Sequence, residues 1–202
     1  MPVISPFIAI SIFMAMLSCS AEPKPFVEHH RNHESYIGIV SINTNGVGID
    51  ENPYDREWTD AGIALFDGDE NDLVSLQNEP AWSGTGAIHI RGNSSAEYDK
   101  KQYALETRDA EGNDIDISPF GLPSEEDWIL HAPFSDKTLM RNRLMFHWSN
   151  QIGRYAPRTR YVELYMEEDG GVVDERLPWS LSIHRKDKAR LQSGSGRKNR
   201  GG

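Results

Sequence analysis

IHIRGNSSAEYDKKQYALETR, residues 88–108, is the stretch on which the reading of the whole chain turns. Ala87 to Arg91 and Gln102 to Arg108 each alternate apolar with polar side chains, the period-two signature of half-buried strands. Between them lies a loop that begins Gly92-Asn93-Ser94-Ser95 and ends Lys100-Lys101. Gly92 permits backbone conformations closed to other residues, and Asn93, Ser94 and Ser95 offer side-chain and backbone donors. Arg91, Lys100 and Lys101 bring three cations to the same place. Such a loop can hold a phosphate; it also has the composition of an ordinary polar hairpin tip.

Working outward, Tyr36 to Ile42, Trp58 to Phe66, Trp128 to Ala132 and Tyr161 to Met166 are expected strands, rich in β-branched and aromatic residues and bounded by turn formers. Asp109 to Asn113 reads as a turn. Asp67 to Asp72 starts like a calcium loop, but Asp72 stands where glycine is needed and Asn78 where the bidentate glutamate belongs, so an acidic turn is expected and no metal is assigned. One helix is predicted after Pro133. Ser135 serves as its N-cap with Asp136 in the first turn, Met140, Leu144, Trp148 and Ile152 form a stripe expected to pack on the sheet, and Gly153 closes the C-terminus. Strands followed by one long helix and a further strand predict an α+β domain with a mostly antiparallel sheet, spanning 36–169.

The blocks RGNSS, KKQYALETRD, GLPSEEDWILHAPFSDKTLMRNRL and GRYAPRTRYVELYM resemble, in that order, the spore coat protein H (CotH) kinase-like family, strongly from Ile88 to Met166 and loosely from Tyr36 to Ala87. The resemblance implies the N-terminal part of an atypical protein-kinase-like fold, ATP and Mg²⁺ as cofactors, and Ser/Thr phosphorylation of a secreted or surface protein substrate. It implies that Lys101, or its neighbour Lys100, touches the α- and β-phosphates, with Arg91, Gly92, Asn93 and Ser94 nearby. In kinase-like folds the catalytic and metal-binding aspartates come well after the nucleotide lysine, so no catalytic or metal-binding residue is assigned in this chain. Asp136, in the matching Ser-Asp-Lys block, is assigned to the helix start, where a carboxylate complements the dipole. The expectation is an inactive N-terminal fragment of such a kinase. The alternative is a surface lipoprotein that acts as a binding or structural module and never meets ATP.

The chain has 202 residues and a formal net charge of −10, which argues against a nucleic-acid binder. Its first 18 residues are an apolar run short of the roughly 20 needed to span a bilayer, ending in Leu17-Ser18-Cys19-Ser20. That end resembles the lipobox of bacterial lipoproteins, so residues 1–19 are expected to be a signal segment and Cys19 the lipidated anchor of an exported, membrane-attached protein. A plain cleaved signal with an incidental cysteine is the other reading. Residues 20–35 read as a flexible linker, where His29, His30 and His33 are expected to be solvated.

Residues 170–202 are expected to be an aberrant, disordered basic tail. Arg185 to Gly202 holds seven Lys or Arg against one Asp, and Pro178 sits where a central strand should have none. Asp174 to Arg190, back-translated with permitted codons and shifted by one nucleotide, can give a strand-and-charge block like that of the family. A frameshift, with Tyr161 to Met166 left as an unpaired edge, is therefore expected.

Overall fold

The computed structural model describes residues 34–50, 52, 57–68, 73–168 and 179–185. The signal segment, the three histidines, most of the acidic Asp67 to Asp72 turn and the last 17 residues lie outside them. Among the described residues nine strands and one α-helix follow in chain order: β1 (Glu34–Ser35), β2 (Gly38–Asn43), β3 (Thr59–Phe66), β4 (Val74–Ser75), β5 (Trp82–Arg91), β6 (Gln102–Arg108), β7 (Asp127–His131), α1 (Arg141–Gln151), β8 (Thr159–Glu167) and β9 (Trp179–Arg185). Seven of the strands close into a barrel in the order β2-β3-β5-β6-β7-β9-β8. All neighbours are antiparallel except β2 and β8, whose parallel pairing from Gly38↔Val162 to Asn43↔Glu167 completes the ring.

Alternation along the strands fills the interior. Val40 and Ile42 of β2, Ala61, Ile63 and Leu65 of β3, Ile88 and Ile90 of β5, Tyr103 and Leu105 of β6, Trp128 and Leu130 of β7, and Val162 and Leu164 of β8 form one buried cluster. This is the inward set that a period of two dictates once the sheet closes. The opposite set on β2, β3 and β8 supplies a smaller cluster, Ile39, Phe66 and Tyr165 with Val74 of β4. The short β1–β4 ribbon thus lies over the outside of the barrel there.

Three expectations are corrected. The fold is mostly β and not α+β: the sheet curls on itself and its interior is filled by its own side chains, so no helix layer is needed to cover that face. Secondly, α1 begins at Arg141, six residues after Ser135, and buries none of its residues; Leu144, Trp148 and Ile152 point to solvent. Finally, Tyr161 to Met166 is no free edge. It lies within β8, which pairs with β9 from Thr159↔His184 to Leu164↔Trp179, and β9 pairs in turn with β7. β9 as described begins at Trp179, and Pro178 lies outside the described residues.

Candidate functional site

β5 ends at Arg91 and β6 begins at Gln102, paired in register as Arg91↔Gln102. The turn between them is tight at its start. Gly92 has φ +109°, a backbone conformation that other residues rarely adopt, and a Cβ there would also meet the Ser95 hydroxyl. Ser94–Glu97 then forms one 3-10 turn, in which Ala96 is buried and its N–H donates to Asn93 O at 3.1 Å. Buried Ala96 pins the loop to the barrel interior while Asn93 and Ser94 face solvent.

The three predicted cations take different positions. Lys101 folds under the loop and donates from Nζ to Ala96 O at 2.7 Å, leaving two of its three ammonium donors for other partners. Lys100 is partly buried, and desolvation lowers its pKa from the usual lysine range. An anion seated beside it would reverse that shift. Arg91 closes β5 on the outer face, near enough to His131 for its charge to weigh on that imidazole.

His131 is the residue that sequence reasoning missed. It ends β7, one register step beyond the Tyr103↔Leu130 pair, which sets it beside Gln102 on the outer face. His131 Nδ1 lies 2.8 Å from Gln102 Oε1 and Nε2 lies 3.0 Å from Asn142 Nδ2 of α1. An amide oxygen only accepts and an amide nitrogen only donates, so Nδ1 carries the proton and Nε2 accepts. Burial and then the Arg91 charge lower the His131 pKa, with Asp136 pulling the other way. The signal available in the sequence was a single polar residue at the end of the apolar run Trp128 to Ala132.

Asp136 has the structural role expected of it, by a different route. Its carboxylate accepts from the Arg141 amide at 2.9 Å, and from the Thr138 amide and hydroxyl at 3.0 and 2.7 Å. Desolvation opposes its ionisation, but these donors hold its carboxyl below the ordinary range. The helix N-terminus is therefore capped from five residues upstream instead of by Ser135. At the other end Gly153, at φ +78°, closes the helix as predicted: its N–H donates to Asn150 O, and that of Arg154 to Ser149 O, the paired bonds of a Schellman motif.

The neutral imidazole joins α1 to the barrel, and this has a pH consequence. A histidine whose folded pKa lies below its unfolded value, about 6.5, contributes stability that is complete above that value and fades as pH falls through it. Thermal melts at about pH 7.5 and 5.5 are expected to show a larger acid loss for the parent than for His131→Gln. Equal losses in both chains would contradict this tie.

Acidic groups that could hold a cation lie elsewhere. Among the described residues Asp116, Glu125 and Glu126 place carboxylate oxygens within 4.8 Å of one another. The backbone of Glu126 bonds to Thr107 N, five residues along β6 from Gln102 and so about 17 Å from the loop. The loop residues thus suit the phosphates of ATP, with three cations beside a glycine turn, whereas this carboxylate group is too distant to place Mg²⁺ on them.

What the fold and loop define together is a small closed β-barrel with a cationic glycine turn at one mouth, beside the start of an externally attached helix. Residues 88–172 match the family model described as CotH kinase protein, so the CotH family resemblance is shown over that part of the chain. The matched stretch runs from β5 through the loop, β6, β7, α1 and β8, and stops before β9. No curated protein matches the chain.

Proposed function

We propose that this chain is the phosphate-binding N-terminal part of an exported CotH-family protein. It holds the polyphosphate of ATP at Arg91, Gly92, Asn93, Ser94, Lys100 and Lys101, without transferring a phosphoryl group by itself. The observation that carries this reading is the loop: a glycine turn at φ +109°, bordered in sequence by Arg91, Lys100 and Lys101, lies inside the stretch that matches the family model. Lys100 and Lys101 would meet the phosphates as point charges and Arg91 as a planar fork. ATP would supply the transferable group. This chain's residues would bind and orient it, and nothing more. Transfer also needs carboxylates on Mg²⁺ and an acid to orient the acceptor hydroxyl, and the acidic cluster at Asp116, Glu125 and Glu126 is misplaced for both.

Support for the membrane location is the apolar run ending at Cys19. Lipid on that sulfur would tether the barrel at a bacterial surface, close to the surface or coat proteins that a CotH-family kinase would modify. The mass of the mature N-terminus tests this part: a first residue other than Cys19 would remove it.

Calorimetric titration of ATP with and without Mg²⁺ tests the site. Lys101→Ala is expected to weaken binding about tenfold, or roughly 1.4 kcal/mol. Because Lys101 already bonds Ala96 O, the other reading, a binding or structural module with no ATP chemistry, keeps a physical footing. Equal binding by parent and variant, or none by either, selects it.

A further inference from the structure

The apolar stripe of α1 has no partner among the described residues, and its surroundings indicate what covers it. Successive helical residues turn by about 100°, which puts Leu144, Met145, Trp148 and Ile152 on one arc with Arg141 at its centre. All four are exposed, Trp148 by 54% and Ile152 by 73%. The helix nevertheless has a fixed orientation, because its inner side is held by polar contacts. Asn142 donates to His131, Arg143 stacks 4.5 Å over the Tyr161 ring, Tyr161 OH donates to Leu139 O at 2.8 Å, and Asn150 binds Ala156 through both backbone groups. A stripe that merely lacked packing would be free to roll inward. This one is held facing outward.

Charge is segregated in the same place. Residues 34–136 hold 22 Asp or Glu against five Lys or Arg, yet no acidic residue occurs between Asp136 and Glu163, where Lys137, Arg141, Arg143, Arg154, Arg158 and Arg160 fall. An acidic protein thus carries its apolar ridge in a segment whose charged residues after Asp136 are all cations, Asp136 itself pairing with Arg141 at 3.5 Å. Such a ridge exposes side chains of two kinds, apolar and cationic. Its needs are an apolar layer beneath a diffuse sheet of negative charge.

We propose that α1 is a docking face for an anionic bilayer, with Leu144, Met145, Trp148 and Ile152 entering the headgroup boundary and Lys137, Arg141, Arg154 and Arg158 meeting lipid phosphates. This contact is separate from acylation at Cys19 and acts alongside it to set which side of the barrel faces the membrane.

The full chain carrying Cys19→Ser, which cannot be acylated there, would be sedimented with phosphatidylglycerol/phosphatidylcholine vesicles and with phosphatidylcholine alone. Binding to the anionic vesicles is expected, with a blue shift of tryptophan emission, and about tenfold weaker binding on adding Trp148→Ser with Ile152→Ser. Arg154→Gln with Arg158→Gln gives a second, apolar-intact arm, expected to weaken binding several-fold and to flatten its salt dependence. The apolar segment 1–17 and the basic residues after Arg185 are common to every chain, so they cannot produce these differences. Equal binding by parent and both variants overturns the proposal, as does equal binding to neutral vesicles. Concentration-dependent self-association in place of vesicle binding, abolished by the same substitutions, would assign the ridge to a protein contact and also overturn it.

Discussion

Trp128→Ala is expected to lower stability by about 3–5 kcal/mol, the largest loss from any single core truncation in this barrel. Trp128 is 2% exposed and sits among the inward residues of five other strands, so removing its rings leaves a cavity that a closed ladder cannot collapse to fill. Its Nε1–H finds no acceptor among the described residues. Trp128→Phe therefore keeps most of the packing while deleting an unmet donor, and its loss should be well under half that of alanine. Urea unfolding of the three chains checks both statements; a Phe variant as unstable as the Ala variant would show that the N–H matters after all.

Ile183→Pro in β9 is expected to be comparably damaging for a different reason. Position 183 faces Leu130 of β7 on one side and Arg160 of β8 on the other, at the seam where the barrel closes. Proline removes a backbone donor and cannot sit in a central strand, so the seam opens and both neighbours acquire bare edges. The expected loss is roughly 2–5 kcal/mol, with faster exchange of the β8 amides and a tendency to aggregate. A melting curve superposable on that of the parent would mean that β9 contributes little to closure.

Local pattern was enough to locate most elements. Gln102 to Arg108 matches β6 residue for residue, and the strands around Ile39, Ile63, Leu130 and Leu164 were found from runs rich in β-branched and aromatic residues bounded by turn formers. Closure was not legible. It depends on the parallel contact of β2 with β8, more than a hundred residues apart, and on β9, whose Trp-Ser-Leu-Ser-Ile alternation lies beside a proline and a basic tail that drew attention away from it. The helix stripe misled for a related reason. A period near four reports an apolar face without saying what lies opposite, and in this protein the sheet had already filled itself.

The loop was the legible part of the site, because glycine, small polar residues and cations declare themselves locally. Its tie to α1 was not. His131 meets Gln102 and Asn142 only because β7 lies next to β6 and the chain returns as a helix across the same barrel end. Nor did the lysine pair reveal that Lys101 bends back to Ala96 O while Lys100 becomes the desolvated amine.

The most direct test of the phosphate-binding loop is a two-dimensional amide spectrum of the full chain titrated with ATP. Shifts are expected at Gly92, Asn93, Ser94, Lys100 and Lys101, reproduced by inorganic triphosphate and insensitive to Mg²⁺, with the β2 and β3 amides still. An unchanged spectrum, or shifts centred on any other part of the barrel, would contradict the assignment of this loop to phosphate.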